Sequence, residues 1–156
     1  MITVKIQDED FSLQEEYQRL RSTTSGAIVI FSGLVREFDS QGDGAGVESL
    51  HLQHYPGMTE RLLGEIVDEA CGRWPLQAVT VIHRVGTLLP GDQIVLVAVS
   101  SAHREAAFAG ANFVMDYLKT RATLWKKTVT AGGGRWLDTK EGDREAARRW
   151  RESGEG

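Results

Sequence analysis

The chain has 156 residues, 41% of them apolar, with a formal net charge of −4 and a pI of 5.6. That length and apolar content support one domain around a sizeable core, and the acidic balance argues against a nucleic-acid module, which needs a broad basic surface. The only cysteine, Cys71, excludes an internal disulfide and a cysteine-based metal cluster.

The opening MITVKIQDEDF has no apolar core of signal-peptide length, and no apolar run approaches about 18 residues. A soluble, cytoplasmic protein with no membrane contact is expected. Ile2, Val4 and Ile6 alternate as one face of a short strand, and Ser12 with Glu15 has capping-box spacing, opening a helix to about Leu20. Gly26 to Arg36 is rich in β-branched residues and reads as a buried strand, with Phe31 in the core. The polar, glycine-rich stretch from Glu37 to Gly46 reads as a mobile loop.

Alternation resumes from Val47 to Tyr55, and Pro56 with Gly57 ends it before a long helix over Met58 to Trp74. There Leu62, Leu63, Ile66, Val67, Ala70, Cys71 and Trp74 recur at three- and four-residue steps, so Cys71 is expected as a buried, inert thiol. Ala78 to Val85 and Gln93 to Ser100 are two apolar runs joined through the turn Leu89, Pro90, Gly91, Asp92, and should pair antiparallel. Ser100 or Ser101 is expected to cap a helix from Ala102 to Thr120 that packs through Ala107, Phe108, Ala111, Val114, Met115 and Leu118. Thr123 to Thr130 reads as a strand, Gly132 to Gly134 as a turn, and Arg135 to Leu137 as its hairpin partner. Residues 137–156 read as a charged, flexible tail with at most a short helix that frays at its end.

Strands and helices mixed in this order, with hairpins prominent, predict a single-domain α+β fold rather than a doubly wound parallel sheet. No GxGxxG or GxxxxGK[ST] run marks a nucleotide site, and Gly132 to Gly134 lack the Lys-Ser/Thr that a P-loop requires. His51 and His54 lie on a predicted strand without a third or fourth ligand nearby, so no metal is expected.

The cations are unevenly placed. Between Ser101 and Trp136, Arg104, Lys119, Arg121, Lys126, Lys127 and Arg135 face only Glu105 and Asp116, a local balance of +4, which leaves −8 for the other residues. A positive pocket on a negative protein suits a small anionic ligand. A solvated helix face is the alternative for any single one of these residues.

The blocks LQHYPGMTE, EIVDEA, RWPL, VTVIHRVG, SAHR and MDYLKTRATLWKK, spread from about Gly26 to Trp136, closely resemble the large, catalytic subunit of molybdopterin synthase. The resemblance implies an α/β hammerhead fold with an additional antiparallel sheet. It implies a homodimer carrying a small ubiquitin-like sulfur carrier at each end, a two-plus-two heterotetramer, with no resident cofactor. In such an enzyme the thiocarboxylate on the carrier's C-terminal Gly-Gly supplies sulfur twice, turning cyclic pyranopterin monophosphate into the dithiolene of molybdopterin. A phosphorylated pterin agrees with the cationic cluster, and a chain with no usable thiol of its own agrees with an imported sulfur.

Lys119 lies one helical turn beyond Met115, so both face the same way. Partial desolvation there would favour the neutral amine, usable as a general acid/base or a transient nucleophile, and the resemblance makes Lys119 the leading catalytic candidate. Lys126 and Lys127 are adjacent and must leave a strand on opposite faces. The resemblance selects Lys126 as the second catalytic residue, steadying an acyl or phosphate oxygen, with Lys127 and Thr128 at the margin. His103 and Arg104 open the long helix, where free N–H groups, an imidazole and a guanidinium suit a phosphate. Arg36 joins the substrate-binding set by resemblance, as does Arg135. His103 and Lys119 stand 16 residues apart on one helix, about 24 Å at 1.5 Å per residue, too far for one small pterin to touch both. A pocket shared between two copies of the chain is therefore expected. A non-catalytic anion- or pterin-binding scaffold of the same fold is the competing reading.

Overall fold

The computed structural model describes residues 1–37, 46–130, 133–137 and 141–153, without the side chains of residues 135, 137, 141–144, 152 and 153. Twelve elements follow in order among the described residues: β1 (Ile2–Gln7), α1 (Leu13–Leu20), β2 (Ala27–Leu34), β3 (Val47–His54), α2 (Met58–Arg73), β4 (Leu76–Arg84), β5 (Gly86–Leu88), β6 (Gln93–Ser101), α3 (Arg104–Arg121), β7 (Leu124–Thr130), β8 (Gly133–Leu137) and α4 (Glu141–Ser153). They build two four-stranded sheets, β1-β4-β6-β2 and β5-β3-β7-β8. Only β1 with β4 is parallel among these pairings, so the α+β architecture with an added antiparallel sheet is the one observed.

The first sheet separates its faces by the period of two. Val79 and Val81 of β4, with Val95, Val97 and Val99 of β6, meet Leu63, Ile66 and Val67 of α2 and Phe113, Val114 and Leu118 of α3 in the main core. The alternate residues Ala78, Ile82, Leu96 and Ala98 close over Leu20 of α1. Ser12 caps α1 by accepting the Glu15 amide N–H, as the spacing predicted.

Several expectations are corrected. β2 is an edge strand, so only part of it is covered and Phe31 is 42% exposed rather than core. Phe108 is likewise exposed, because α3 turns Ala107, Ala111, Val114 and Leu118 to the sheet and Phe108 lies beside that stripe. The cap of α3 is His103; Ser101 instead donates its hydroxyl to the Pro75 carbonyl, and the buried Ser100 hydroxyl has no partner among the described residues. Cys71 is half-buried at the edge of the main core, and burial followed by Asp68 pushes its thiol up, which leaves it unreactive.

β4 and β6 pair antiparallel as predicted, with the turn at Leu89–Asp92 held by the Leu89 amide on Asp92 and by Gly91 at φ +90°. They do not form a simple hairpin, however. After Arg84 the chain leaves the first sheet, and β5 pairs with β3 in the second. Residues 138–140 and 154–156 lie outside the described residues, but the tail is no loose end between them. α4 docks on α3 through Ala147 and Trp150; the Trp150 ring packs edge-on to Trp74 and Phe113, and its Nε1–H donates to Asp116 at 2.6 Å. The predicted loop after Glu37 falls largely on residues 38–45, outside the described residues, although its two ends meet where the Val47 N–H reaches the Glu37 carbonyl. Among the described residues no helix is long and apolar enough to cross a membrane.

Candidate active site where the two sheets meet

α3 starts beside the Ser101 end of β6 and runs back along it, so its last turn comes to the opposite end of the first sheet. That end is where β4 finishes with His83 and Arg84 and the chain crosses to β5. The second sheet presents Leu50 and Leu52 of β3 to the same junction, in a small core with Val35 and Leu88. Lys119, in the last turn of α3, is thereby carried to the seam between the sheets.

Register decides which β7 side chains join it. Leu52 pairs with Lys126, His54 with Leu124 and Leu50 with Thr128, so these six share the inner face of the second sheet. Thr128 is buried and Lys126 half-buried. Lys127 pairs with His51 and Trp136 on the outer face, its ammonium 5.8 Å from the centre of the Trp136 ring. The predicted division of the two lysines is therefore present. His54 also faces inward and contacts Glu60 at 3.2 Å, while His51, outward, meets the Thr87 hydroxyl at 3.0 Å.

His83 completes the junction. It continues the Val79–Val81 stripe toward α3 and is 2% exposed. Its Nδ1 lies 2.7 Å from the Arg84 carbonyl, which can only accept, so Nδ1 carries the proton and Nε2 is bare. Burial is the main reason its pKa falls from 6.5 to about 4; the Arg84 bond opposes this, and Lys126, Lys119 and His54 add to the fall. The charges of Lys126 and Lys119 thus bear on a neutral ring at this junction. Neither His54 nor His83 stood out in the sequence as a site residue.

The other candidates are dispersed. His103 and Arg104 are exposed at the far end of α3, and Arg36 is exposed just beyond β2. Met115 is half-buried against the main core, one turn before Lys119. Arg135 pairs its backbone with Thr128, and its side chain lies outside the described residues. Arg121 is engaged by Glu69 at 2.9 Å and lies over the Tyr117 ring. One chain therefore does not gather its cations into a single pocket; the helix length keeps the two ends apart. Lys119 itself is exposed, so burial within one chain does not give it the expected desolvation. Among the described residues no group of three His, Cys, Asp or Glu side chains could hold a metal ion.

The family profile described as MoaE protein matches residues 6–121. The chain belongs to the MoaE family. It is 56% identical over 148 residues to the molybdopterin synthase catalytic subunit of Vibrio cholerae serotype O1, covering 94% of this chain and 97% of that one. The solved MoaE protein of Burkholderia ambifaria MC40-6 superposes with a TM-score of 0.81 at 47% identity, covering 96% and 98% of the two chains. A crystal structure of molybdopterin synthase from Staphylococcus aureus gives 0.79 at 32% identity, covering 85% and 95%. The profile match thus covers β3, β4 and both ends of α3, and stops short of β7.

Proposed function

We propose that this chain is the catalytic subunit of a molybdopterin synthase, a sulfur transferase of molybdenum cofactor biosynthesis acting in the cytoplasm. The position of Lys119 in the last turn of α3 and of Lys126 opposite Leu52 on the inner face of β7 carries the reading, and the names of the relatives in the MoaE family support it. The substrate is cyclic pyranopterin monophosphate. The partner is a small ubiquitin-like carrier whose C-terminal Gly-Gly ends in a thiocarboxylate.

The carrier's end enters beside Lys119, and its sulfur attacks an electrophilic side-chain carbon of the pterin, forming the carbon–sulfur bond as a carbon–oxygen bond at that carbon breaks and the oxygen leaves protonated. Water then cleaves the acyl–sulfur bond, which releases the carrier as a carboxylate and leaves sulfur on the pterin. A second charged carrier repeats the step. The nucleophile arrives already activated, so positioning and charge stabilisation carry most of the catalysis. Lys119 serves as acid/base or transient acyl acceptor, while Lys126 steadies the acyl or phosphate oxygen, with Met115 and Thr128 beside them.

His103 and Arg104 lie at the far end of the helix from Lys119. They therefore hold the phosphate in a pocket completed by a second copy of the chain, with Arg36 and Arg135 at its margin. A homodimer bearing one carrier at each end follows from this arrangement.

The test uses purified thiocarboxylated carrier and the pterin. Lys119→Ala should nearly abolish molybdopterin formation while carrier binding persists. Parent activity in that variant refutes the role of Lys119. Pterin binding without turnover by the parent protein would identify a scaffold instead.

A further inference from the structure

Two neighbouring surfaces at one side of the first sheet have no cover among the described residues. The first is the outer edge of β2, which pairs with β6 on one side and, among the described residues, with no strand on the other. Its sequence, AIVIFSGL, contains no charge and no proline, the usual devices that keep an open edge from pairing. Phe31 and Leu34 stand 42% and 54% exposed on it, and Phe31, paired with Val97, points to the face that carries α3.

The second surface belongs to α3. Arg104, Phe108, Asn112, Met115 and Lys119 recur at steps of four, four, three and four, so they form one stripe along the helix. Phe108 is 56% exposed; Arg104, Asn112 and Lys119 are exposed too, and Met115 is half-buried. The stripe lies across the helix from Phe113, whose ring meets Trp74 at the end of α2 and Trp150 of α4. α2 packs over β1 and β4 while α3 packs over β6 and β2, so the stripe looks outward past the β2 edge.

Strand and stripe share a direction and a midpoint. β2 runs antiparallel to β6, and α3 runs back along β6, so β2 and α3 point the same way. They also start together: the Gly26 N–H donates to the Ser101 carbonyl at 3.0 Å, just before the His103 cap. From there the centre of β2, between Ile30 and Phe31, lies about 12 Å along, and the centre of the stripe, between Ala111 and Asn112, about 11 Å along. One two-fold axis can therefore pass through both. With strands about 4.8 Å apart, two α3 helices each seated over a β6–β2 pair would lie about 10 Å apart, a normal helix packing distance.

We infer that a second copy of this chain covers both surfaces, the two β2 edges pairing antiparallel into one continuous sheet and the two α3 stripes packing antiparallel beside each other. Phe108 meets Met115 of the partner subunit, and Arg104, with His103 next to it, lies by the partner's Lys119. The inference deepens the shared-pocket reading and rests on it for function: this seam carries the phosphate-holding end of one α3 to the lysine end of the other. Cations brought together in this way repel unless an anion lies between them, and the proposed substrate is an anion.

Oxidative crosslinking and sedimentation test the seam without turnover. In a Cys71→Ser background, Asn112→Cys at the axis should form an interchain disulfide, whereas Asp68→Cys, exposed on α2, should not. The parent should sediment as two chains, and Phe108→Glu should sediment as one with unchanged circular dichroism. A monomeric parent, a dimer without the Asn112 crosslink, or a dimeric Phe108→Glu overturns the inference. Loss of carrier binding by Phe108→Glu with the dimer intact assigns the surface to the carrier and overturns it as well.

Mixed dimers test the crossing of the helix ends. Lys119→Ala and Arg104→Ala, each nearly inactive alone, should together recover about a quarter of parent molybdopterin formation after subunit exchange, since about half the dimers are then mixed and each has one intact pocket. No recovery overturns the crossed arrangement. An inactive parent enzyme sinks the sulfur-transfer reading instead and leaves the crosslinking result standing.

Discussion

Burying a neutral histidine makes the fold sensitive to acid, and His83→Gln isolates that sensitivity. The folded ring has a pKa of about 4, against 6.5 for an unperturbed histidine. Between those values the unfolded chain binds the proton and the folded chain does not, so stability falls as pH falls through this window. Above 6.5 the ring is neutral in both states and adds no slope; below about 4 it is charged in both and the loss is complete. The gap corresponds to about 3 kcal/mol, a large share of the 5–15 kcal/mol typical of a domain.

Carboxylates of ordinary pKa begin to titrate at the foot of this interval, and Asp10, its carboxyl lowered mainly by the Phe11 amide, adds a further loss below it. A single curve for the parent protein therefore does not identify His83. The glutamine variant keeps polar atoms at the site but cannot take up the proton, so the difference between the two proteins cancels the shared titrations. Urea unfolding at one protein concentration, followed by the fluorescence of the four tryptophans, gives the stability of each protein at pH 7 and at steps down to pH 4. The parent should lose about 3 kcal/mol more than the variant over that range. Parallel curves, with a difference that changes by less than about 1 kcal/mol, would refute a buried neutral ring.

Lys126→Ala should lower kcat by about 10²–10³-fold, the range for losing one oxyanion-stabilising group, whereas Lys127→Ala should leave turnover near the parent value because it lies on the outer face. Steady-state assays with charged carrier compare the two, and equal losses would contradict the observed strand register. Trp150→Phe keeps an aromatic ring against Trp74 and Phe113 but removes the hydrogen bond to Asp116. It should destabilise the protein by about 1–3 kcal/mol, read in denaturant, with faster amide exchange across residues 141–153 than in the parent.

Local patterns were legible wherever one interaction range decided the outcome. The step pattern of Leu63, Ile66, Val67 and Ala70 gave α2 its buried face, and Ser12 gave α1 its cap. The adjacency of Lys126 and Lys127 was enough to place them on opposite faces, since strand geometry leaves no alternative. The failures share a different cause. Whether β2 lies at an edge, and so whether Phe31 is covered, depends on strand order across the whole sheet. The docking of the charged tail depends on Trp150 finding Trp74 and Asp116, 76 and 34 residues away. Such distant partners leave no periodic trace in sequence.

His83 shows how a buried polar residue can hide inside a structural pattern. It occupies the next alternate position after Val79 and Val81, where the period of two calls for an apolar side chain, and only the sheet end reveals why a histidine is tolerated. A buried polar group that violates the pattern survives if its hydrogen bonds are satisfied, and the Arg84 carbonyl satisfies one ring nitrogen. α3 and β7 each bring a lysine, Lys119 and Lys126, from 36 and 43 residues further along the chain. The cation cluster read from sequence thus divides into two working groups that the 18-residue α3 holds apart, one at its start with His103 and Arg104, one at its end with Lys119. A ligand that touches both groups has to be gripped by two chains, which is what the proposed shared pocket requires.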